Sequence, residues 1–307
     1  MTKVFIDGSA GTTGLRIVER LSQRSDLELL ILPDELRKDP AARADALSSA
    51  EIAFLCLPDD AARESVALAA GSKVKIIDTS TAHRTDTSWA YGMPELSGNR
   101  EKILASSRIA NPGCHASGFI ALVAPLVEAG ILPRDAQLSC FSLTGYSGGG
   151  KKMIGQYEDA NRPGLYDAPR QYALGQTHKH LPEMAAICGI TVSPIFCPIV
   201  GDFYSGMEVT GPLHASQFKG SMEDISALYK SYYTQGLIHP EKADGDGLLS
   251  ACAYSGRDDM GISVFGNGDR VILTARFDNL GKGASGAAIQ NMNLLLGLPE
   301  TTGLSID

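Results

Sequence analysis

Lys3-Val4-Phe5-Ile6-Asp7-Gly8-Ser9-Ala10-Gly11-Thr12-Thr13-Gly14 runs a short β-prone segment into three glycines, and Leu15, Val18 and Leu21 then fall on one helical face. Strand, glycine turn, helix is the layout of a dinucleotide-binding βαβ unit. The glycines follow a G-x-x-G-x-x-G spacing instead of the standard G-x-G-x-x-G. The physical requirement survives the change: a pyrophosphate reaches the backbone at a helix N-terminus only where no side chain intervenes. Gly8, Ser9, Gly11, Thr12, Thr13 and Gly14 are therefore candidate cofactor contacts, the threonines as hydroxyl donors. The alternative is a structural turn that binds nothing.

Strand-like and helix-like segments alternate downstream. Leu27–Leu32 reads as a strand, Glu51–Pro58 as a buried strand ending at a proline, Ala61–Ala70 as a helix and Val74–Asp78 as the next strand. That alternation predicts an α/β chain with a doubly wound parallel sheet of the Rossmann type. After the second strand the signals for the nucleotide ribose conflict. Asp34 suits a 2′-hydroxyl, Arg37 and Lys38 suit a 2′-phosphate, and a solvated loop explains all three. Thr79-Ser80-Thr81-Ala82-His83-Arg84 lies at a strand C-terminal end, where such sheets bind ligands, so His83 and Arg84 could face an anion.

Ala110-Asn111-Pro112-Gly113-Cys114-His115-Ala116-Ser117-Gly118 places a cysteine between a tight turn and a helix. Phe119, Ile120, Leu122, Val123, Leu126 and Val127 recur at helical spacing, and Gly130 reads as the stop. Cys114 is expected at or next to the first helical position. Unpaired N–H groups and the helix dipole favour thiolate over thiol there. A thiolate is the nucleophile of an acyl-transfer enzyme; the bland alternative is a small apolar residue at a helix start.

In the second half, Gln137–Thr144 reads as a strand running into Gly145-Tyr146-Ser147-Gly148-Gly149-Gly150-Lys151-Lys152. Such a glycine-rich turn with two lysines offers backbone donors and cations to a phosphate or carboxylate; the alternative is a flexible loop. Gln176-Thr177-His178-Lys179-His180-Leu181-Pro182-Glu183-Met184 is a second chemical cluster, with Pro182 suited to the first turn of a helix. It lacks the H-E-x-x-H layout of a metal site, so no metal is expected, and one histidine near the thiol would serve as acid or base. Met207–Leu213 and Arg270–Phe277 read as antiparallel strands, and a glycine-rich turn over 278–286 precedes a helix at Ala288–Leu296. The expected architecture is a Rossmann domain followed by an α+β domain with a mixed, largely antiparallel sheet.

The 307 residues suffice for one large or two ordinary domains, and a composition 44% hydrophobic and 20% charged is that of a globular protein. A net charge of −8 argues against a nucleic-acid partner. No apolar run reaches membrane-spanning length and no signal-peptide layout is present. Six scattered cysteines without a C-x-x-C pair fit neither a disulfide framework nor a zinc site, and suit a reducing cytoplasm.

Several of these stretches together resemble the short-type N-acetyl-γ-glutamyl-phosphate reductases, within the aspartate-semialdehyde-dehydrogenase-like superfamily. The resemblance covers nearly the whole chain. It is carried by Gly8–Gly14, Asp78-Thr79-Ser80 with Arg84, Tyr91-Gly92-Met93-Pro94-Glu95-Leu96, Asn111-Pro112-Gly113-Cys114, Ser147–Lys151, His178-Lys179-His180-Leu181-Pro182-Glu183, and Asn279-Leu280-Gly281-Lys282-Gly283 with Gln290–Asn293. His115 stands where long-type members usually have an aromatic residue.

The resemblance implies NADPH-dependent reduction of an acyl phosphate to an aldehyde through a thioester on Cys114, in arginine biosynthesis. It implies His180 as acid/base, with His178 in substrate binding. Ser80, Arg84, Lys151 and Lys152 would also bind the anionic substrate. Asn279, Lys282 and Gly283 would close on the cofactor, and NADP(H) would be preferred, with Arg37 on its 2′-phosphate. Phosphate is released, and a homodimer or homotetramer is implied. The implied boundaries are 1–113 for nucleotide binding, with 283–307 returning to it, and 114–282 for catalysis and oligomerisation. The rival readings are an aspartate-semialdehyde dehydrogenase and a non-catalytic NADP-binding sensor. A short-chain reductase would need a Tyr-x-x-x-Lys pair, and no tyrosine here has a lysine four residues on.

Overall fold

In the computed structural model, which describes residues 1–306, the chain divides into two compact units. The first comprises Met1–Pro94, Gly98–Pro112 and Ala284–Leu304. Its elements are β1 (Thr2–Asp7), α1 (Thr12–Leu21), β2 (Leu27–Leu30), α2 (Pro40–Ser49), β3 (Ile52–Leu55), α3 (Asp59–Leu68), β4 (Lys75–Asp78), β5 (Ala90–Tyr91), α4 (Asn99–Ala105) and β6 (Arg108–Ala110). The second unit comprises Glu95–Ser97, the run Gly113–Gly283 and the chain end from Ser305. It holds α5 (Cys114–Glu128), β7 (Ser139–Gly145), α6 (Gly150–Glu158), β8 (Arg170–Gln171), α7 (Leu181–Cys188), β9 (Ile195–Gly201), β10 (Met207–His214), α8 (Met222–Tyr232), β11 (Ile238–Pro240), β12 (Met260–Gly266) and β13 (Arg270–Phe277). The last helix, α9 (Gly286–Leu295), belongs to the first unit.

The first unit is a six-stranded parallel sheet in the order β2-β1-β3-β4-β6-β5. Alternate residues of a strand face opposite sides, and here both sides are covered. Val4, Ile6, Ile52, Phe54 and Ile77 pack with Ile17 and Leu21 of α1 and with Ile289 and Met292 of α9. Phe5, Ala53, Leu55 and Ile76 pack on the other side with Leu47 of α2 and Ala62 of α3. The continuous apolar runs of these strands are what two-sided burial requires. The chain leaves β1 for β2 on one side and returns to β3 on the other, so the crevice beyond their C-terminal ends is the ligand position of such a sheet.

The second unit is a seven-stranded mixed sheet, β11-β12-β13-β10-β7-β9-β8. Its central pair, β10 and β13, is antiparallel with Met207 opposite Phe277 and His214 opposite Arg270. α5 packs on this pair with one face and against α7 and α8 with others, which accounts for its nearly all-round apolarity. Gly118 permits the close approach: a β-carbon there would lie 2.5 Å from Val209 Cγ2. The sheet's other face presents Phe141, Ile195 and Ile272, all exposed, and the strand register sets them on one side with Cys197, Thr210 and Pro212. Among the described residues no helix is long and apolar enough to cross a membrane.

The glycine-rich stretch after β7 forms a single 3₁₀ turn, Tyr146–Gly149, followed by α6. The N–H groups of Gly145, Tyr146 and Ser147 donate to the carbonyls of Gly206, Phe203 and Tyr204, so these three are not donors for an anion.

Candidate active site

In the first unit, β1 ends at Asp7 and Gly8 turns the chain with φ +86°, a left-handed angle that suits glycine. A β-carbon on Gly8 would lie 2.3 Å from the Cys56 carbonyl oxygen, and one on Gly14 would lie 2.4 Å from the Gly8 carbonyl oxygen. The loop is thus closed on itself and on the end of β3 by the absence of side chains. Gly11 is the N-cap of α1 and offers no side-chain cap, so the helix opens with its N–H groups turned to whatever occupies the crevice. Ser9, Thr12 and Thr13 are all part-exposed on this loop and first turn. Beneath it the Asp7 carboxylate accepts from Arg43 Nε at 3.1 Å and from the Ser65 hydroxyl, a buried brace for the turn.

The loop after β4 carries Ser80 and Arg84, both implied for the substrate. The Ser80 hydroxyl donates to Asp78 at 2.7 Å and accepts from the Ala82 N–H, so it stabilises the turn. His83 Nδ1 lies 2.6 Å from the same Asp78 and its ring stacks on Trp89. Arg84 is buried and one guanidinium N–H donates to the Thr79 carbonyl. Farther out, Arg37 pairs with Asp34 at 3.2 Å, so the two residues that competed for the ribose engage each other.

In the second unit, Cys114 is the first residue of α5 with Gly113 as its N-cap, half-buried and at the positive end of the helix. The Glu183 carboxylate, one turn into α7, accepts the Gly113 N–H at 2.8 Å and ties the two helix starts together. Against α5 stands a group of aromatic rings: His115 has its ring centre 5.7 Å from His178 and 5.6 Å from His180, and His178 lies 4.7 Å from His180. Sequence reading assigned roles to His178 and His180 only. The structure adds His115 and Tyr172, which share a 2.7 Å hydrogen bond.

The histidines are not equivalent. His178 Nδ1 accepts the backbone N–H of His180 at 3.2 Å, so the neutral ring carries its proton on Nε2 and presents a donor. Burial, helped by the charge of Lys179, lowers the His178 pKa and favours that neutral form. His180 caps α7 and is buried.

In the turn after β13, two residues implied for the cofactor have partners within the second unit. Asn279 Nδ2 donates to the Ser147 hydroxyl at 3.0 Å and its Oδ1 accepts the Gly206 N–H at 2.9 Å, so its amide fastens the turn inside the second unit. Lys282 is buried, with Nζ 2.7 Å from Glu95 Oε1. Gly283 lies against the cysteine, where a β-carbon would come within 3.0 Å of Cys114 Cβ. The Asp278 carboxylate holds this turn by accepting from the N–H groups of Leu280 and Gly281 and from the Ser205 hydroxyl. Lys151 and Lys152 are exposed in the first turn of α6.

The chain matches two family models: the semialdehyde dehydrogenase NAD binding domain over residues 33–106 and the semialdehyde dehydrogenase dimerisation domain over residues 114–279. Aspartate semialdehyde dehydrogenase II from Vibrio cholerae, solved in complex with ASA, has the same fold, with a TM-score of 0.74 at 17% identity over 97% of this chain and 98% of that one. The Candida albicans aspartate semialdehyde dehydrogenase solved with NADP superposes with a TM-score of 0.67 at 14% identity, covering 97% and 99% of the two chains. The two-unit fold is thus that of the semialdehyde dehydrogenase class. Among curated relatives, N-acetyl-γ-glutamyl-phosphate reductase 2 of Pseudomonas putida is 45% identical over 98% of both chains, and its namesake from Nostoc is 46% identical over 98% and 99%. The Brucella ovis N-acetyl-γ-glutamyl-phosphate reductase is 46% identical over 96% of this chain and 99% of its own. The chain belongs to the N-acetyl-γ-glutamyl-phosphate reductase family.

Proposed function

We propose that this protein catalyses the NADPH-dependent reductive dephosphorylation of N-acetyl-γ-glutamyl phosphate to N-acetyl-L-glutamate 5-semialdehyde, a step of arginine biosynthesis, in the cytoplasm. The observation that carries the reading is the cysteine at the first position of α5, followed by His115 whose ring lies 5.7 and 5.6 Å from those of His178 and His180, in a chain close to half identical to reductases of that name. Residues 1–113 with 283–307 form the nucleotide-binding part and 114–282 the catalytic and oligomerising part.

The glycine turn fits a dinucleotide: Gly8 and Gly14 leave no room for a β-carbon, and α1 begins without a side-chain cap. Gly8, Ser9, Gly11, Thr12, Thr13 and Gly14 would hold the pyrophosphate. Bound NADPH supplies the reducing equivalent that takes the acyl group to the aldehyde. The chain's own residues do the rest. The Cys114 Sγ attacks the acyl carbon, forms the C–S bond and expels inorganic phosphate as the C–O bond breaks. His180 takes the thiol proton and returns it when the C–S bond later breaks. His178 offers its Nε2–H to the substrate, and exposed Lys151 and Lys152 attract its charge.

The test is phosphate-dependent reduction of NADP by the purified protein, with N-acetylglutamate semialdehyde and aspartate semialdehyde side by side. Turnover with the first and not the second is expected. The reverse preference would make the protein an aspartate-semialdehyde dehydrogenase, and NADP binding without turnover would make it a sensor.

The active form is a homodimer or homotetramer joined through the face that carries Phe141, Ile195 and Ile272. The support is their exposure (45%, 61% and 43%) on a unit similar to a dimerisation domain. Phe141→Glu is expected to weaken self-association at least about thirtyfold, read as a fall toward monomer mass in light scattering. An unchanged mass at micromolar dilution would place the interface elsewhere.

A further inference from the structure

His115 is buried directly after Cys114 and has a partner at each ring nitrogen. Nδ1 lies 2.6 Å from Ser142 Oγ on β7, and Nε2 lies 2.7 Å from the Tyr172 hydroxyl just beyond β8. Burial and the nearby His178 push its pKa down to about 3, so the ring is neutral, with one donor nitrogen and one acceptor. Such a three-member chain has a direction, and the Ser142 end decides it.

Ser142 is fully buried, and its hydroxyl has no partner other than His115 among the described residues. Were Nδ1 the donor, the Ser142 proton would be left as a buried donor without an acceptor, which is costly. In the opposite arrangement Ser142 and both ring nitrogens are satisfied. Ser142 donates to Nδ1, the ring proton sits on Nε2, and Nε2–H donates to the Tyr172 oxygen. The Tyr172 O–H is then left to donate onward. The Tyr172 hydroxyl has no other hydrogen bond among the described residues, and its ring edges onto His178. Burial and, second, the electrostatic influence of Cys114 raise the Tyr172 pKa, so the hydroxyl stays protonated beside the thiol.

We propose that Ser142, His115 and Tyr172 form a directed hydrogen-bond chain that presents the Tyr172 O–H to the negative charge carried at Cys114. Tyr172 is then a catalytic donor, to the thiolate in the free enzyme and to the oxygen that becomes an alkoxide on the tetrahedral carbon during turnover. His115 and Ser142 are positioning residues that fix where its proton points. No proton changes owner along the chain, so its effect is electrostatic stabilisation. The inference deepens the thioester reading and rests on it.

The test follows alkylation of Cys114 by iodoacetamide against pH, with the modified peptide read by mass spectrometry. The wild type is compared with Tyr172→Phe, Ser142→Ala and the double variant. His178, His180 and Glu183, the other titratable groups facing this helix start, are retained in all four. Tyr172→Phe is expected to raise the Cys114 midpoint by about one pH unit and lower kcat about tenfold, with KM within about twofold, as for loss of one hydrogen bond to a charged group. Ser142→Ala should shift the midpoint the same way by less, and should add nothing to Tyr172→Phe. An unmoved midpoint in Tyr172→Phe overturns the proposal, even where kcat falls, because a structural role alone gives that result. Alkylation needs no substrate, so it judges the chain independently of the acyl phosphate, whereas an active Cys114→Ser enzyme would overturn the thioester reading itself.

Discussion

Cys114→Ser is expected to fold, to bind NADPH as the wild type does, and to lose reductase turnover by roughly 10⁶-fold, the scale on which removal of a covalent nucleophile is felt in acyl-transfer enzymes. The cause is local. The N-terminus of α5 favours a thiolate through the helix dipole and its unpaired N–H groups, whereas a serine hydroxyl there stays protonated. The replacement fills nearly the same volume, so contacts with Gly283 and the helix start persist. NADPH affinity, read by fluorescence titration, should move less than about twofold, because the loop proposed to hold the nucleotide, residues 8–14, belongs to the other unit. Residual activity within tenfold of wild type would remove the thioester from the mechanism.

Lys282→Met is expected to cost about 3–5 kcal/mol of stability, because it leaves the Glu95 carboxylate buried without its cation. Lys282 and Glu95 are 2% and 0% exposed, so water cannot substitute for the lost partner. The Glu95 carboxylate also accepts the Leu237 N–H at 2.9 Å, which joins the 95–97 segment, the turn after β13 and the strand region before β11 in one network. Urea unfolding of Lys282→Met and of the double variant with Glu95→Leu reads the effect. The double variant should recover part of the loss, since an apolar pair avoids the desolvation cost, but not the hydrogen bond to Leu237. An unchanged unfolding midpoint together with a large rise in KM for NADPH would instead return Lys282 to the cofactor.

Much of the first unit is legible because its signals are local. β1, β3 and β4 are continuous apolar runs, and two-sided burial of Val4, Phe5 and Ile6 explains why no alternation marks them. The glycines at 8 and 14 announce their turn because neither position has room for a β-carbon, and they lie within a few residues of each other. Cys114 at the helix start is equally local, set by Pro112 and Gly113 before it and the apolar periodicity after it. Residues 145–150 read as a turn with backbone donors for an anion, but the N–H groups of 145–147 are taken up by carbonyls of residues 203–206, far off in the sequence.

The partners of Lys282 and Asn279 were not legible in the sequence: Lys282 meets Glu95 across 187 positions and Asn279 meets Ser147 across 132. His115 and Tyr172 were invisible as a pair, since α5 and the segment after β8 become neighbours only when β7 and β9 assemble between them. Ser80 and Arg84 lie at the strand end where ligands bind, yet their polar groups serve the loop's own geometry through Asp78 and Thr79.

The central claim is that the acyl group passes through Cys114, and intact-protein mass spectrometry tests it most directly. The protein is mixed with freshly prepared N-acetyl-γ-glutamyl phosphate in the absence of NADPH and quenched in acid, where thioesters survive. A single N-acetylglutamyl adduct is expected in the wild type, mapped to the peptide containing Cys114, absent from Cys114→Ser and discharged when NADPH is added before the quench. A wild-type protein that turns over the acyl phosphate but never carries the adduct, or carries it on another residue, would contradict the account.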